Sequence, residues 1–508
     1  MVPAAQRLPE IPRLVARKGY FVVHAPRQTG KTTTLQALAD ELTATGRYAA
    51  LLFSCETGRA WGDDVGAAIR AILDRIRTEA ESTLPADLRP PPWPEASEGT
   101  LLATGLTGWA RVCPRPLVLF FDEIDALHGQ TLISVLSQLR DGYRGRPVNF
   151  PASIALCGLR DVRDYKTASG GDPTRLGTAS PFNIKVRSLR LGNFTADEVR
   201  GLYAQHTADT GQEFTPDAIS RAFELTAGQP WLVNALAAEI VDEMAVPVTS
   251  PITVDHLEQA KERLILARAT HLDSLVDKLR EPRVHRVVEP LLAGTTLLLD
   301  PYDDDLSYAR DLGIVAPDPP VRIANPIYRE IIPRVLAPDV AANVTAEPRS
   351  FVRGDGRLDF PKLLDEFAAF WRTNGDILVS RQLYHEAAPQ LVMMAFLQRL
   401  INGGGYVERE YGVGRGRIDL LIRWPYSGPD GRRAWQCEGL ELKVRAAGSA
   451  DPVPEALGQL DAYLDRLGLD TGTLAVFDRR PNAPAISERT GITTTTSPAG
   501  RIITLLRG

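Results

Sequence analysis

YFVVHAPRQTGKTTTLQALADELTAT, residues 20–45, changes character twice. YFVVHA reads as an apolar strand. A polar turn follows, and from Gly30 the apolar positions take helical spacing. A tight turn between strand and helix suits phosphate binding, because its backbone N–H groups and the helix N-terminus cradle the anion. Within APRQTGKT, residues 25–32, Lys31 is placed to reach the terminal phosphates and Thr32 to ligate Mg²⁺. Ala25 stands where such turns usually carry their first glycine. The candidate nucleotide contacts are Ala25, Arg27, Gln28, Thr29, Gly30, Lys31, Thr32 and Thr33. Arg27 either touches phosphate or pairs with an acid.

Working outward, YAALLFSCE is a second strand and WGDDVGAAIRAILDRIRTEA an amphipathic helix. A proline-rich loop leads to PLVLFFDEID, a third strand, then to the helix GQTLISVLSQLRDGY and the strand ASIALCGL. Strands alternating with helices predict a parallel sheet covered on both faces, an α/β fold. Asp122 ends the third strand, where it can hold Mg²⁺ through water, and Glu123 can orient the attacking water. The two motifs come in order on compatible elements, which argues against an ordinary turn and an acidic strand end.

After NIKVRSLRLGNFT the pattern becomes helical. TADEVRGLYAQHTADTG and TPDAISRAFELTAGQPWLVNALAAEIVDEMA each begin at a threonine suited to capping, with an acid in the first turn. Short helices follow, ending in YARDLGIVAPDPPVRIANPIYREIIPRVL, a helix, a short hairpin and a helix. This region resembles the AAA-like and STAND-type P-loop ATPases in their shorter bacterial and archaeal forms. The resemblance spans roughly residues 8–335 and is carried by HAPRQTGKTT, LFFDEID, SPFNIKVRSLRLGNFT, TAGQPWLVNALA and ANPIYREII. It implies ATP and Mg²⁺ as ligands, a helical lid containing GQPWLVN, and a winged-helix-like module after it. It also implies a polar sensor at the end of the fourth strand, where this chain has Cys157. Arg160 or Arg163 would approach the γ-phosphate, in cis or from a neighbouring copy, unless it is an ordinary surface arginine.

A second constellation lies far downstream. GRGRIDLLIRW, residues 414–424, is a strand entered through a glycine-rich turn, with Asp419 just before an apolar run. AWQCEGLELKVR is another strand, on which Glu441 and Lys443 share a face because strand side chains alternate. The turn PYSGPDGRRA joins the two as a hairpin, so Asp419 and Glu441 can converge. Converging carboxylates repel, and a divalent cation with oxygen ligands resolves this. Lys443 would position a nucleophilic water and offset developing phosphate charge. A salt-bridged cluster, with Lys443 neutralising both acids, would look the same in sequence.

Asp–turn–Glu-x-Lys resembles the PD-(D/E)XK nucleases, with Ile418 where the usual proline precedes the aspartate. EALGQLDAYLDRLG adds Gln459 and Tyr463, one helical turn apart, similar to the RecB-like branch of that superfamily. The resemblance covers about residues 378–480 and implies a restriction-endonuclease-like α/β domain, known as a tail on bacterial AAA-like ATPases. It implies Mg²⁺ or Mn²⁺ at Asp419 and Glu441, with Glu386 as an additional ligand and Glu408 and Glu410 as competitors. TGTLAVFD would be the final core strand. The surrounding arginines, Arg423, Arg432, Arg433 and Arg445 among them, suit phosphate contacts. Trp424, Trp435 and Tyr406 either stack on bases or fill the core.

The bulk properties fit this organisation. At about 100–200 residues per domain, 508 residues make three or four domains. The expected division is an ATPase core at 1–192, a lid at 193–250, a winged-helix-like module at 251–338, a linker at 339–360 and the nuclease-like domain at 361–508. The net charge of −5 gives no global nucleic-acid signal. From residue 351 the balance is 20 Lys+Arg against 19 Asp+Glu, and before it 38 against 44, so any DNA surface must be a local patch. Four scattered cysteines without a CxxC pair exclude a zinc ribbon and fit a reducing cytoplasm. No apolar run approaches the roughly 18 residues of a membrane span. The expected partner is DNA, with ATP-dependent self-association. The alternative is a STAND-like ATP-driven switch or scaffold whose tail binds partners or DNA without cutting.

Overall fold

The computed structural model describes residues 3–159, 184–267, 275, 277–292, 297, 300, 303–336, 347–381, 388–401, 404–413, 416–429, 431–445 and 448–508. The chain divides into two compact units. The first is Met1–Phe223, Ala227–Val254 and Arg310–Gly313; the second is Glu224–Thr226, Asp255–Ala309 and Ile314–Gly508.

The first unit is built on five strands: β1 (Tyr20–His24), β2 (Ala49–Ser54), β3 (Leu117–Asp122), β4 (Ser153–Gly158) and β5 (Arg187–Arg190). All pairings are parallel, in the order β2-β3-β4-β1-β5. Their aromatic and branched side chains alternate between two buried layers. Tyr20, Val22, Leu51, Phe53, Leu119 and Phe121 pack beneath α2 (Val65–Thr83), α3 (Leu101–Val112) and α4 (Gly129–Gly142). Phe21, Val23, Ala50, Leu52, Val118, Phe120 and Cys157 pack against α1 (Lys31–Ala44) and the short helix Ile11–Ala16. Cys157 is thus a buried core residue. The edge strand β5, RSLR, has too little apolar periodicity to be read from sequence as a strand.

Three helices follow β5. α5 (Ala196–Thr210) opens on a full capping box of Thr195 and Glu198, and α6 (Pro216–Thr226) on Thr215, as the threonines predict. α7 (Pro230–Ala238) is capped by Gln229 of the GQPW segment.

The second unit contains α8 (Val254–Leu266) from Asp255 onward, α9 (Pro282–Leu292), α10 (Asp304–Asp311) as far as Ala309, and α11 (Pro326–Leu336). Between the last two, the expected hairpin is reduced to one antiparallel bridge, Val315↔Ile323. The described part of the expected linker is not a bare tether: Phe351, Leu358 and Phe360 are buried in the core that follows. That core lies between α12 (Phe360–Arg381), α13 (Ala388–Ile401) and a mixed sheet. The sheet comprises β6 (Tyr406–Val413), β7 (Gly416–Ser427), β8 (Arg433–Arg445), β9 (Gly472–Asp478), β10 (Gly491–Thr496) and β11 (Ile502–Arg507), in the order β10-β11-β9-β8-β7-β6. β6, β7 and β8 form an antiparallel meander, and β9 returns parallel to β8 after α14 (Val453–Leu467). α14 covers the opposite face through Leu457, Leu460 and Leu464 against Leu421, Leu474 and Val476.

Two expectations are corrected. TGTLAVFD is not the final strand: β10 and β11 follow it, and β11 pairs with β9. Both are short, and GITTTT lacks apolar alternation. The β7–β8 turn is also tighter than the sequence suggested, because Pro425–Ser427 and the residues from Arg433 onward are strand.

Candidate functional site

The two halves of the predicted nucleotide site meet where β1 and β3 end. The turn after β1 reverses through two residues in the left-handed region, Gln28 (φ 57°) and Gly30 (φ 76°). Thr29 is buried between them and its Oγ1 donates to the Pro26 carbonyl at 3.0 Å. α1 then begins without a side-chain cap and without an acid in its first turn. Helices α5, α6 and α7 all have side-chain caps. An uncapped N-terminus keeps N–H donors and the positive dipole end for an external anion. Arg27, Gln28, Thr32 and Thr33 are exposed beside it, and Ala25 is buried below.

Register brings the acidic half alongside, with Ser54 of β2 opposite Asp122 of β3. Asp122 is buried, Lys31 Nζ lies 3.6 Å from its Oδ1, and Thr32 Oγ1 donates to its Oδ2 at 2.6 Å. A hydroxyl and a carboxylate together are the hard oxygen donors that Mg²⁺ takes, so these residues fit that ion. Glu123 sits just beyond in the left-handed region (φ 54°), costly for a residue with a Cβ. Its N–H donates to Asp122 Oδ1 at 3.0 Å, and its carboxylate accepts from Ser54 Oγ. Ser54 was not a sequence candidate; its position at the end of an apolar strand was the available signal. His24, at the end of β1, faces Asp311 with 3.4 Å between Nδ1 and Oδ1. Arg160 and Arg163 lie outside the described residues.

The second constellation also assembles. The β7–β8 pairing runs to Leu420↔Leu440, and one further step of register sets Asp419 opposite Glu441. Asp419 Oδ2 accepts the Leu442 N–H at 2.8 Å. Glu441 is 2 % exposed; its Oε1 accepts from Lys443 Nζ at 2.8 Å, and its buried Oε2 has no hydrogen-bond partner among the described residues. Burial, then the charge of Asp419, push the Glu441 carboxyl up to about 7, and Lys443 only partly offsets them. Burial also opposes the charge on Lys443, but Glu441 and Asp419 outweigh it and its pKa rises. Tyr463 of α14 is close enough to Lys443 to bear on that charge. Gln459 instead donates to Glu455 of its own helix at 3.1 Å.

The competing acids separate. Glu408 is 3.5 Å from Arg423. Glu386 and the side chain of Glu410 lie outside the described residues. Among the described residues no group of three or more His, Cys, Asp or Glu side chains could hold a metal. Two carboxylates completed by water still suit Mg²⁺, and the orphaned Oε2 of Glu441 is the atom such an ion would satisfy. Trp435 lies between Arg423 and Arg433, each 4.8 Å from its rings, while Trp424 is buried with Nε1 on the Gly356 carbonyl. On the face of Glu441 and Lys443, the buried Arg445 Nε has no acceptor among the described residues.

No protein-family model matches the chain, and no curated protein matches it. Among solved structures, a Walker-type ATPase of Pyrococcus abyssi is similar at 14% identity and TM-score 0.48, covering 65% of this chain and 96% of its own. The RuvB Holliday junction branch migration motor of Thermotoga maritima is similar at 16% identity and TM-score 0.34, covering 65% and 93%. Cdc6p from Pyrobaculum aerophilum is similar at 14% identity and TM-score 0.34, covering 64% and 91%. All three likenesses are shallow. No helix among the described residues is long and apolar enough to cross a membrane.

Proposed function

We propose that the first unit binds and hydrolyses ATP with Mg²⁺, and that the second is a metal-dependent deoxyribonuclease whose access to DNA follows the nucleotide state. One observation carries the ATP reading: an uncapped, acid-free helix N-terminus whose Lys31 and Thr32 converge on the buried Asp122. Lys31 would leave Asp122 for the β/γ-phosphates, and Thr32 and Asp122 would hold Mg²⁺, which screens the phosphate charge. Glu123, released from Ser54, would take the proton of the attacking water.

For the nuclease, the supporting observation is the pair Asp419 and Glu441 with its unpartnered buried oxygen beside Lys443. The two carboxylates would hold Mg²⁺ or Mn²⁺, which lowers the pKa of bound water. Lys443 would stabilise charge on the phosphate, and the nearby arginines would position the DNA backbone. Four domains and a linker in the expected order, including a lid and a winged-helix-like module, and ATP-dependent self-association belong to the same proposal.

The test is paired. Lys31→Ala abolishes ATP turnover, whereas Lys443→Ala leaves it intact and lowers Mg²⁺-dependent DNA cleavage by about 100-fold or more. Cleavage by Lys443→Ala at the wild-type rate refutes the nuclease. A second reading rests on the same 2.8 Å ion pair between Lys443 and Glu441. If it is purely structural, the protein is an ATP-driven switch, seen as ATP-dependent oligomerisation without cutting under any metal.

A further inference from the structure

Arg7 belongs to none of the motifs above. It ends the one-turn helix Ala4–Arg7. Its guanidinium nevertheless reaches the phosphate turn: Nη1 donates to the Thr29 carbonyl at 3.0 Å. Nη2 donates to the Gly192 carbonyl at 2.6 Å, and the group lies 4.7 Å over the Phe194 ring. Gly192–Phe194 leads from β5 into the lid.

Phe194 is fixed in turn by the GQPW segment. Its N–H donates to the Gly228 carbonyl at 2.8 Å. A Cβ on Gly228, whose φ is +71°, would lie 1.9 Å from the Phe194 carbonyl oxygen, so only glycine allows this approach. Asn193 Nδ2 adds a bond to the Ala227 carbonyl at 3.0 Å. One arginine side chain therefore joins the phosphate turn to the lid motif.

The chemistry of Arg7 is unusual for a structural clip. Among the described residues its hydrogen-bond acceptors are carbonyls, and no carboxylate lies within ion-pair distance. Burial lowers its pKa, with the charge of Glu198 acting in the other direction. A partly buried cation whose hydrogen bonds go to carbonyls, with only a ring face and the charge of Glu198 beside them, is costly unless an anion shares its charge more closely. The Thr29–Gly30 peptide is planar and trans, so holding its carbonyl also fixes the Gly30 N–H on the opposite side. That N–H is part of the phosphate cradle.

We propose that Arg7 is a positioning residue of the nucleotide site, a clasp that orients the phosphate turn and ties it to the start of the lid; this rests on the ATP-binding reading above. The experiment titrates a fluorescent ATP analogue into the full chain as wild type, Lys31→Ala, Arg7→Ala and Arg7→Lys. Arg7→Ala is expected to weaken binding about tenfold, with the melting temperature of the nucleotide-free protein unchanged. Arg7→Lys, able to serve only one of the two carbonyls, falls between. Low-millimolar guanidinium partly restores binding to Arg7→Ala, and sodium chloride at equal concentration does not. Wild-type affinity in Arg7→Ala overturns the clasp and leaves the ATP reading standing. So does a binding loss that tracks a lowered melting temperature without guanidinium rescue. Should Arg7→Ala not fold, wild-type affinity in Arg7→Lys overturns it equally. Failure of the wild type itself to bind overturns both.

Discussion

Glu441 shows most clearly how one side chain links stability to function. Its carboxyl stands at about 7, above the ordinary carboxylate range, chiefly because it is buried and then because it faces Asp419. The native state therefore holds more protons than the unfolded chain between the ordinary carboxylate pKa and 7. Stability from this group is present at low pH and is lost as pH rises through that window. A divalent cation needs the deprotonated form, so its binding strengthens over the same rise. The expected outcome is a Mg²⁺-induced increase in melting temperature that grows from about pH 6 to about pH 8 and disappears in Asp419→Asn. An equal increase at both pH values would contradict it. Glu123 gives a second residue-scale prediction: Glu123→Gln keeps nucleotide affinity, while turnover falls about 100-fold or more, the share of a general base. Asp419, Glu441 and Lys443 were legible because strand alternation and one hairpin suffice to place them. Ser54 and Arg7 were not, because register across a parallel sheet and a contact to a distant loop leave no local pattern. Cys157 stood at the expected sensor position, and its burial in the core accounts for the apolar side chain.

Among the elements, α14 matters most for the second constellation, since it covers the face from which Asp419, Glu441 and Lys443 project. Leu460 is fully buried in the layer it forms with Leu421 and Leu474. Leu460→Ala is expected to cost about 2–5 kcal/mol, read by denaturant unfolding, with cleavage falling as the site loosens. Between α6 and α7, Gly228→Ala is expected to lower the melting temperature, because the added methyl meets the Phe194 carbonyl at a backbone angle that disfavours it. Elements with strong periodicity were readable: β1 to β4, the threonine-capped helices α5 and α6, and the β7–β8 hairpin. The misses share a cause. β5 is short and charged, and β10 is a run of threonines, so in each case pairing with a neighbour makes the strand. The expected linker hid Phe351 and Leu358, whose burial comes from tertiary packing rather than local pattern.

For the whole molecule, the chain divides into two compact units, one for each candidate site, and among the described residues each has a buried apolar layer on both faces of its sheet. Calorimetry is expected to resolve two transitions, and Mg-ATP is expected to raise one of them while Lys31→Ala abolishes that shift. A single transition moving as one with nucleotide would contradict this independence. The alternation of strands and helices and the two motif sets made both candidate sites legible; the proposed link between them was not, because a coupling between sites would leave no residue pattern of its own. The most direct test is DNA cleavage itself. Wild type and Asp419→Ala are incubated with plasmid and linear DNA in Mg²⁺, Mn²⁺ or EDTA, with and without ATP. Metal-dependent cutting by the wild type, absent in EDTA and in Asp419→Ala, is the predicted result. No cutting under any condition, or equal cutting by Asp419→Ala, would contradict the account.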